Sequence, residues 1–478
     1  MRTDPRHRGS SLLAWSVILA LSGWIMLSVA WSGPGGSEKL EGRAEASAQH
    51  AIMTALVNGA MSAPFRAAMG PQLSAIRSQV EALAYEDDPG SELATAALLA
   101  RLGARDEALA MLTGLRARVD AGEVEADAEF RTVLDATVDL VDATGAPGQR
   151  AIAEDRCAAV EKALGPTGVM LVAQASGDAE RLASLEDAGA TALGTLVLIG
   201  LAALLLGLAG FALLVLFVVL AAMGKTKGLP PQAGDRNHVY AEMFALWLAV
   251  YVGFGRGFDL LVAQLAARGV PAPTTEVDLG ISVLGAFVAG GLGMWWGARR
   301  GLGWRGVREG IGLVRPSPMD LVWGVATWSM GIVLLAGGLL VAVVLSALLG
   351  DGSMRASHPI QQLVEESGAA GLALTYVLAC VCAPLFEEVF FRGAIYRNIR
   401  TGLGRFGALG APVAAAVLSS VLFAAIHPQG LVFVPVLGSL ALAFCIMREW
   451  RGTINGPIVA HAINNGVVLS LNVLLLRG

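Results

Sequence analysis

Two adjacent glutamates, Glu387 and Glu388, lie inside an apolar stretch that is long enough to cross a membrane. A charged side chain at the centre of a bilayer costs about 2.5 kcal/mol or more, so an intramembrane carboxylate is a candidate functional group. Arg392 follows Glu388 by four residues, which places both on one helix face, whereas Glu387 points about 100° away around the axis. The spacing predicts that Arg392 holds Glu388 and that Glu387 is available to a different partner.

Two later apolar segments carry further polar side chains. His427 precedes a proline at the end of one segment, and His461 lies four residues before Asn465 on the last one, with Asn464 as the alternative at i+3. Carboxylate, imidazole and carboxamide groups together can activate water and stabilise an oxyanion. Each also has a structural alternative: a buried glutamate–arginine clamp, an interfacial histidine, or an interhelical hydrogen bond. The presence of all these groups together favours a catalytic role over the structural alternatives.

The composition indicates an integral membrane protein. Of 478 residues, 55% are hydrophobic and 15% charged, and the mean hydropathy is +0.62, which is more apolar than an ordinary soluble domain. We therefore predict an all-α fold, a polytopic transmembrane bundle with about nine spans, and a lipid bilayer rather than nucleic acid as a partner. The predicted spans are 12–31, 192–223, 240–266, 279–298, 320–349, 371–396, 409–427, 431–447 and 456–476.

Basic residues are distributed over the loops as the positive-inside rule requires. If each segment crosses once, the three short external loops carry only Arg268 and Arg355 as basic residues, while the cytoplasmic loops carry thirteen. This places the N-terminus in the cytoplasm and the C-terminus outside. Richness in Ala, Gly and Arg with little Lys is typical of a bacterium of high genomic GC content. The predicted location is the bacterial inner (cytoplasmic) membrane, with multiple crossings.

A polar insert separates the first and second spans. Residues 1–32 are predicted to be a membrane anchor or signal, and 33–190 an acidic, all-helical extracytoplasmic domain. Residues 33–189 contain 25 acidic and 13 basic residues, which leaves the rest of the chain basic. Two amphipathic helices joined at Leu102-Gly103-Ala104 indicate a helical hairpin. We expect this acidic surface to be where an extracytoplasmic protein partner binds.

Three motifs follow one another on the apolar segments. They are EExxxR at Glu387 to Arg392, FxxxH at Phe423 to His427, and HAxxN at His461 to Asn465. In this order they resemble the CAAX prenyl protease and bacteriocin-processing family (CPBP or Abi), which consists of intramembrane glutamic endopeptidases. The resemblance covers about residues 320–476. We predict a protease core at 316–478, preceded by transmembrane helices of unclear role at 191–315.

The resemblance implies a role for each matching residue. Glu387 corresponds to the general base that activates a water molecule together with His427, and Glu388 and Arg392 hold the geometry and charge of the site. His461 and Asn465 correspond to the oxyanion hole. The family was long regarded as metal-dependent because Glu and His can ligate zinc. The absence of HExxH favours a mechanism without a cofactor, with zinc as the alternative.

The resulting function is hydrolysis of a peptide bond in a membrane-associated protein or peptide. The alternative is a non-catalytic membrane scaffold, or a bacteriocin-immunity-like protein, of the same fold. One geometric condition accompanies the enzyme hypothesis. A span of 19 residues ending near His427 rises about 28 Å, so Glu387 meets His427 only if its own helix extends toward Ile399 or the His427 helix is tilted or short.

Overall fold

The protein is described by a computed structural model at residues 5–31, 36–69, 72–84, 88–149, 152–229, 236–349, 364, 367–427, 429 and 431–477. Every regular element within these ranges is a helix, so the predicted all-α class is confirmed. In chain order the helices are α1 (Pro5–Trp31), α2 (Gly36–Met61), α3 (Ala63–Met69), α4 (Leu73–Glu81), α5 (Pro89–Arg101), α6 (Arg105–Asp120), α7 (Ala128–Ala143), α8 (Glu154–Leu164), α9 (Pro166–Ser176), α10 (Ala179–Ala222), α11 (Asn237–Ala266), α12 (Thr275–Gly297), α13 (Gly303–Ile311), α14 (Met319–Leu349), α15 (Ala369–Gly402), α16 (Gly407–Ala425), α17 (Val434–Arg451) and α18 (Asn455–Arg477).

Eight helical segments in the described residues are long and apolar enough to cross a membrane. They coincide with the eight spans predicted after the insert, and the protein is a multi-pass membrane protein. The first predicted span, 12–31, lies within α1, and the described part Ser10–Ile25 is apolar. The bacterial inner membrane and the orientation of the spans stay predictions.

The chain divides into two compact units. One comprises Met1–Gly33 with Ala202–Leu471, and the other comprises Pro34–Leu201 with Asn472–Gly478. The second unit contains α2 to α9, including the predicted hairpin of α5 and α6 with its turn at Leu102–Ala104. Gly103 in this turn has a φ of +84°, a conformation that glycine adopts without steric cost. The extracytoplasmic position of this unit and its protein partner stay predictions.

Helix α15 carries the two glutamates, and its C-terminal half is hydrogen-bonded to α17. Tyr396 donates to Oε1 of Glu449 at 2.7 Å, and Nη2 of Arg400 donates to Oε2 of the same residue at 3.2 Å. Both hydrogen bonds involve a carboxylate, which makes them stronger than bonds between neutral groups. They hold the C-terminal half of α15 against α17.

Glycines of α12 allow the middle of α15, around Phe386 and Phe390, to pack closely against α12. A Cβ atom at Gly290 would lie 2.2 Å from the ring of Phe386, and one at Gly293 would lie 2.6 Å from the ring of Phe390. These separations are far below van der Waals contact. The two phenylalanine rings therefore occupy the space that a side chain at Gly290 or Gly293 would need. Phe386 immediately precedes Glu387, and this packing therefore positions the glutamates.

We predict that Gly290→Ala destabilises the protein, because the added methyl group must displace the Phe386 ring. Overpacking of this kind costs about 1–3 kcal/mol. Thermal unfolding in detergent micelles measures the change. Gly291→Ala is the matched control, since open space surrounds its Cβ position. Equal unfolding temperatures for the two variants would contradict the packing argument.

Candidate active site

The backbone of α15 changes where the glutamates occur. The α-helical turn Ala383–Glu387 is flanked by two π-helical segments, Leu378–Cys382 and Glu388–Ile395. Pro384 lies in the first turn after the first π segment, where its missing N–H removes one helical hydrogen bond. Single π-helical turns inside α-helices are frequent at functional sites. Here they form the backbone on both sides of Glu387.

Glu388 and Arg392 form the predicted ion pair. Nη1 of Arg392 donates to Oε1 of Glu388 at 2.8 Å, and the exposed fractions of the two side chains are 1% and 0%. Nη2 of Arg392 also points to the carbonyl oxygen of Ala441 on α17, at 3.4 Å. The buried carboxylate is thus compensated by a neighbouring cation, as a charge in a low-dielectric interior requires.

His461 is the second partner of Glu388. Its Nδ1 lies 2.9 Å from the same Oε1 atom that accepts from Arg392. A carboxylate paired with arginine is an acceptor, so Nδ1 carries a proton and donates. Nε2 of the neutral ring is then an acceptor. The sequence motifs predicted His461 as a site residue but did not predict this contact between α18 and α15.

Glu387 lies opposite both histidines. Its Oε2 atom is 3.9 Å from Nε2 of His427 and 3.9 Å from Nε2 of His461. The ring of His427 is oriented by Nδ1, which is 2.7 Å from the carbonyl oxygen of Phe423 and must donate to it. In the neutral rings, both Nε2 atoms are therefore acceptors facing one carboxylate oxygen. Oε2 of Glu387 is buried and has no hydrogen-bond partner among the described residues.

Asn465 is directed toward the backbone of α15. Its Nδ2 atom donates to the carbonyl oxygen of Ala379 at 2.8 Å, inside the first π-helical segment, and Nδ2 of Asn464 lies 3.3 Å from Oδ1 of Asn465. This is the interhelical hydrogen bond that was the structural alternative for the HAxxN motif. Glu387, Glu388, Arg392, His427 and His461 are linked by the contacts above, and the oxyanion-hole role of Asn465 stays a prediction.

The length of α15 explains how Glu387 reaches His427. The helix continues past Ile399 to Gly402, which satisfies the first of the two geometric conditions. Glu387 thereby lies fifteen residues, or about 22 Å, from the C-terminal end of its helix. At this position its Oε2 atom is 3.9 Å from Nε2 of His427, which follows the end of α16.

One aromatic residue at this site was not predicted. Phe444 on α17 contacts both Arg392 and His461. It belongs to none of the three motifs and lies in an apolar run, where an aromatic residue indicates only burial. Among the described residues, no group of three or more His, Cys, Asp and Glu side chains is arranged to hold a metal ion.

We predict that Arg392→Met strongly destabilises the protein, by about 3–5 kcal/mol, because it leaves Glu388 buried without its cation. The double variant Glu388→Gln/Arg392→Met should lose clearly less stability than the single variant. Unfolding in detergent, with the four proteins compared as a double-mutant cycle, measures the coupling. Additive losses would show that the pair has no coupling of its own.

The site lies in a segment of the chain that matches a protein-family model. Residues 369–467 match the family model described as type II CAAX prenyl endopeptidase, Rce1-like, over about a fifth of the chain. The matched segment begins with α15, ends within α18, and includes all six predicted site residues. No curated protein and no solved structure matches the chain. Residues 369–467 are thus similar to the Rce1-like type II CAAX prenyl endopeptidases.

Proposed function

We propose that the protein is an intramembrane endopeptidase that hydrolyses a peptide bond of a membrane-associated protein or peptide, with Glu387 as the general base. The observation that carries this proposal is the position of Glu387, whose Oε2 atom lies 3.9 Å from Nε2 of both His427 and His461. These separations are too long for direct hydrogen bonds. They suit one water molecule bonded to Glu387 and a histidine.

The proton count supports water as the bridging group. Glu387 Oε2 and the two Nε2 atoms are all acceptors when both rings are neutral, so the group between them must supply protons. A water molecule supplies two. Glu387 takes one proton as the water oxygen attacks the carbonyl carbon, and His427 orients the water through its Nε2 atom. The proton held by Glu387 then passes to the amine nitrogen as the C–N bond breaks.

His461 is suited to stabilise the tetrahedral intermediate in the form of the site in which Nε2 has taken up a second proton from bulk water. The ring then donates from Nε2 to the developing oxyanion while Nδ1 still donates to Glu388, and the attacking water is bonded to Glu387 and His427 alone. Oε1 of Glu388 accepts the Nδ1–H bond of His461, and Arg392 donates to the same oxygen. In this proposal Glu388 and Arg392 act through His461, and Asn465 fixes the helix that carries it.

A zinc-dependent reaction is the alternative to this glutamate mechanism. In that case Glu387 and the histidines would act as ligands to the ion instead of holding the attacking water alone. Chelation distinguishes the two proposals, because it removes an essential metal and leaves a glutamate-activated water unaffected.

We predict that Glu387→Gln lowers kcat by at least 100-fold, because the amide cannot accept the proton from water. The purified protein in detergent is assayed on a library of membrane-associated and lipidated peptides, with and without EDTA. Glu309→Gln is the control, since Glu309 pairs with Arg305 on the exposed face of α13. Full activity of Glu387→Gln would exclude this residue as the base. Loss of wild-type activity in EDTA would favour the metal-dependent reaction.

Absence of wild-type cleavage by a folded protein would favour the scaffold alternative. In that case the acidic unit of α2 to α9, rather than the Glu387 site, would be the part that binds a partner.

An apolar groove beside α16, the helix that ends just before His427, is the proposed binding region for the membrane-embedded part of the substrate. The groove has a volume of about 870 Å³ and extends along α1 and α16 from Asn237 to Ala425, two residues before His427. Trp15, Leu19 and Leu422 contribute apolar walls. Its volume is in the range of ligand pockets, and its apolar lining suits the part of the substrate that lies in the bilayer.

We predict that Gly23→Phe raises KM roughly 10-fold and leaves kcat nearly unchanged, which corresponds to about 1.4 kcal/mol of lost binding. Gly23 lines the groove, and no atom lies within 4 Å of its Cβ position, so we expect the new ring to occupy part of the groove. Gly253→Phe, at an exposed glycine of α11 that does not line the groove, is the control. An unchanged KM for Gly23→Phe would exclude the groove as the substrate region.

A further inference from the structure

Phe444 contacts two charged or chargeable groups of the site from a helix that carries none of the three motifs. The centroid of its ring is 4.9 Å from Cζ of Arg392 and 5.5 Å from the ring centroid of His461, whose plane is tilted by 30°. Phe444 is fully buried, so no solvent screens either contact. Its ring therefore touches both groups that hydrogen-bond to Glu388.

The guanidinium of Arg392 needs more stabilisation than its hydrogen bonds provide. Its Nε atom is buried and has no hydrogen-bond partner among the described residues. Its ion-pair partner, Oε1 of Glu388, is shared with Nδ1 of His461. One carboxylate oxygen thus serves two donors. A cation in this situation gains from any further negative potential nearby.

Aromatic ring faces supply that potential. The ring centroid of Phe423 is 4.5 Å from Cζ of Arg392, and Phe444 lies at a similar distance. The negative face of an aromatic ring attracts a cation within about 6 Å, and the attraction is largest where water is excluded. Phe423 also lies 4.4 Å from the ring of His427 and belongs to a predicted motif. Phe444 is therefore the site contributor that the motifs do not include.

We propose that Phe444 is a positioning residue of the active site. Its ring face stabilises the guanidinium of Arg392 and packs on His461, so that Oε1 of Glu388 accepts from both at once. When the ring face loses its negative potential, Arg392 draws more strongly on Glu388, and His461 loses its orientation toward Glu387. The expected effect on turnover rests on the proposed endopeptidase function, whereas the effect on stability does not.

Stepwise fluorination of the Phe444 ring tests this proposal. Incorporating phenylalanine analogues with an increasing number of fluorine atoms withdraws electron density from the ring face while keeping its shape and apolar character. We expect kcat to fall progressively, by on the order of 10-fold or more for the most fluorinated ring, with KM nearly constant. A ring that only fills space would show no trend.

The same series at Phe217 is the matched control. Phe217 on α10 packs against the same apolar cluster as Phe444, and its ring lies 5.8 Å from that of Trp450. We expect no graded effect there. A fall in kcat of equal size at Phe217 would overturn the proposal, because it would show that fluorination acts through general packing.

A second measurement separates this inference from the proposed function. The unfolding temperature of the Glu387→Gln protein, which needs no catalysis, should fall along the Phe444 series. The trend should vanish when Glu388→Gln/Arg392→Met is added, which is expected to lose clearly less stability than Arg392→Met alone, since no cation then faces the ring. A persisting trend without Arg392, or no trend with it, would overturn the inference even if the enzyme cleaves its substrate. A graded loss of stability in a protein without any peptidase activity would support the Arg392 contact and reject the endopeptidase.

Discussion

The burial of the Glu388 carboxylate in a transmembrane helix is the constraint on which the site depends. A charge at this depth persists only if other groups compensate it, and Arg392 does so from one turn away at 2.8 Å. The pair then creates a further requirement, because the guanidinium is itself almost fully enclosed. Helices α16 and α17 contribute to meeting it, and α18 supplies a second donor to the Glu388 carboxylate. Four helices thus meet around a single buried ion pair.

The contributions from each helix differ in chemistry. Helix α16 supplies the ring of Phe423, α17 supplies the carbonyl oxygen of Ala441 and the ring of Phe444, and α18 supplies the imidazole of His461. Removing any one leaves a polar or charged atom with fewer partners in a medium that cannot replace them. This interdependence explains why the site residues occur on separate helices that must pack in one register.

Local spacing predicted the parts of the site that lie on one helix. The i, i+4 relation of Glu388 and Arg392 needed only helix geometry, and it holds even though a π-helical segment begins at Glu388. Apolar runs of sufficient length likewise predicted all eight spans of α10 to α18. Contacts between helices were not predictable in this way, because one sequence contains no information on how far one helix slides along another. The shared Oε1 atom, the Phe444 contacts and the bond from Asn465 to Ala379 all depend on that register.

The two adjacent glutamates differ in environment, and this difference separates their roles. Glu388 is fully enclosed, and its Oε1 atom is already bonded to both Arg392 and His461. The side chain of Glu387 is 21% exposed and faces two imidazole nitrogens at distances that admit another molecule. Two identical side chains acquire separate functions when their surroundings differ in this way. This difference supports the proposed assignment, in which Glu387 is the general base and Glu388 holds His461 in place.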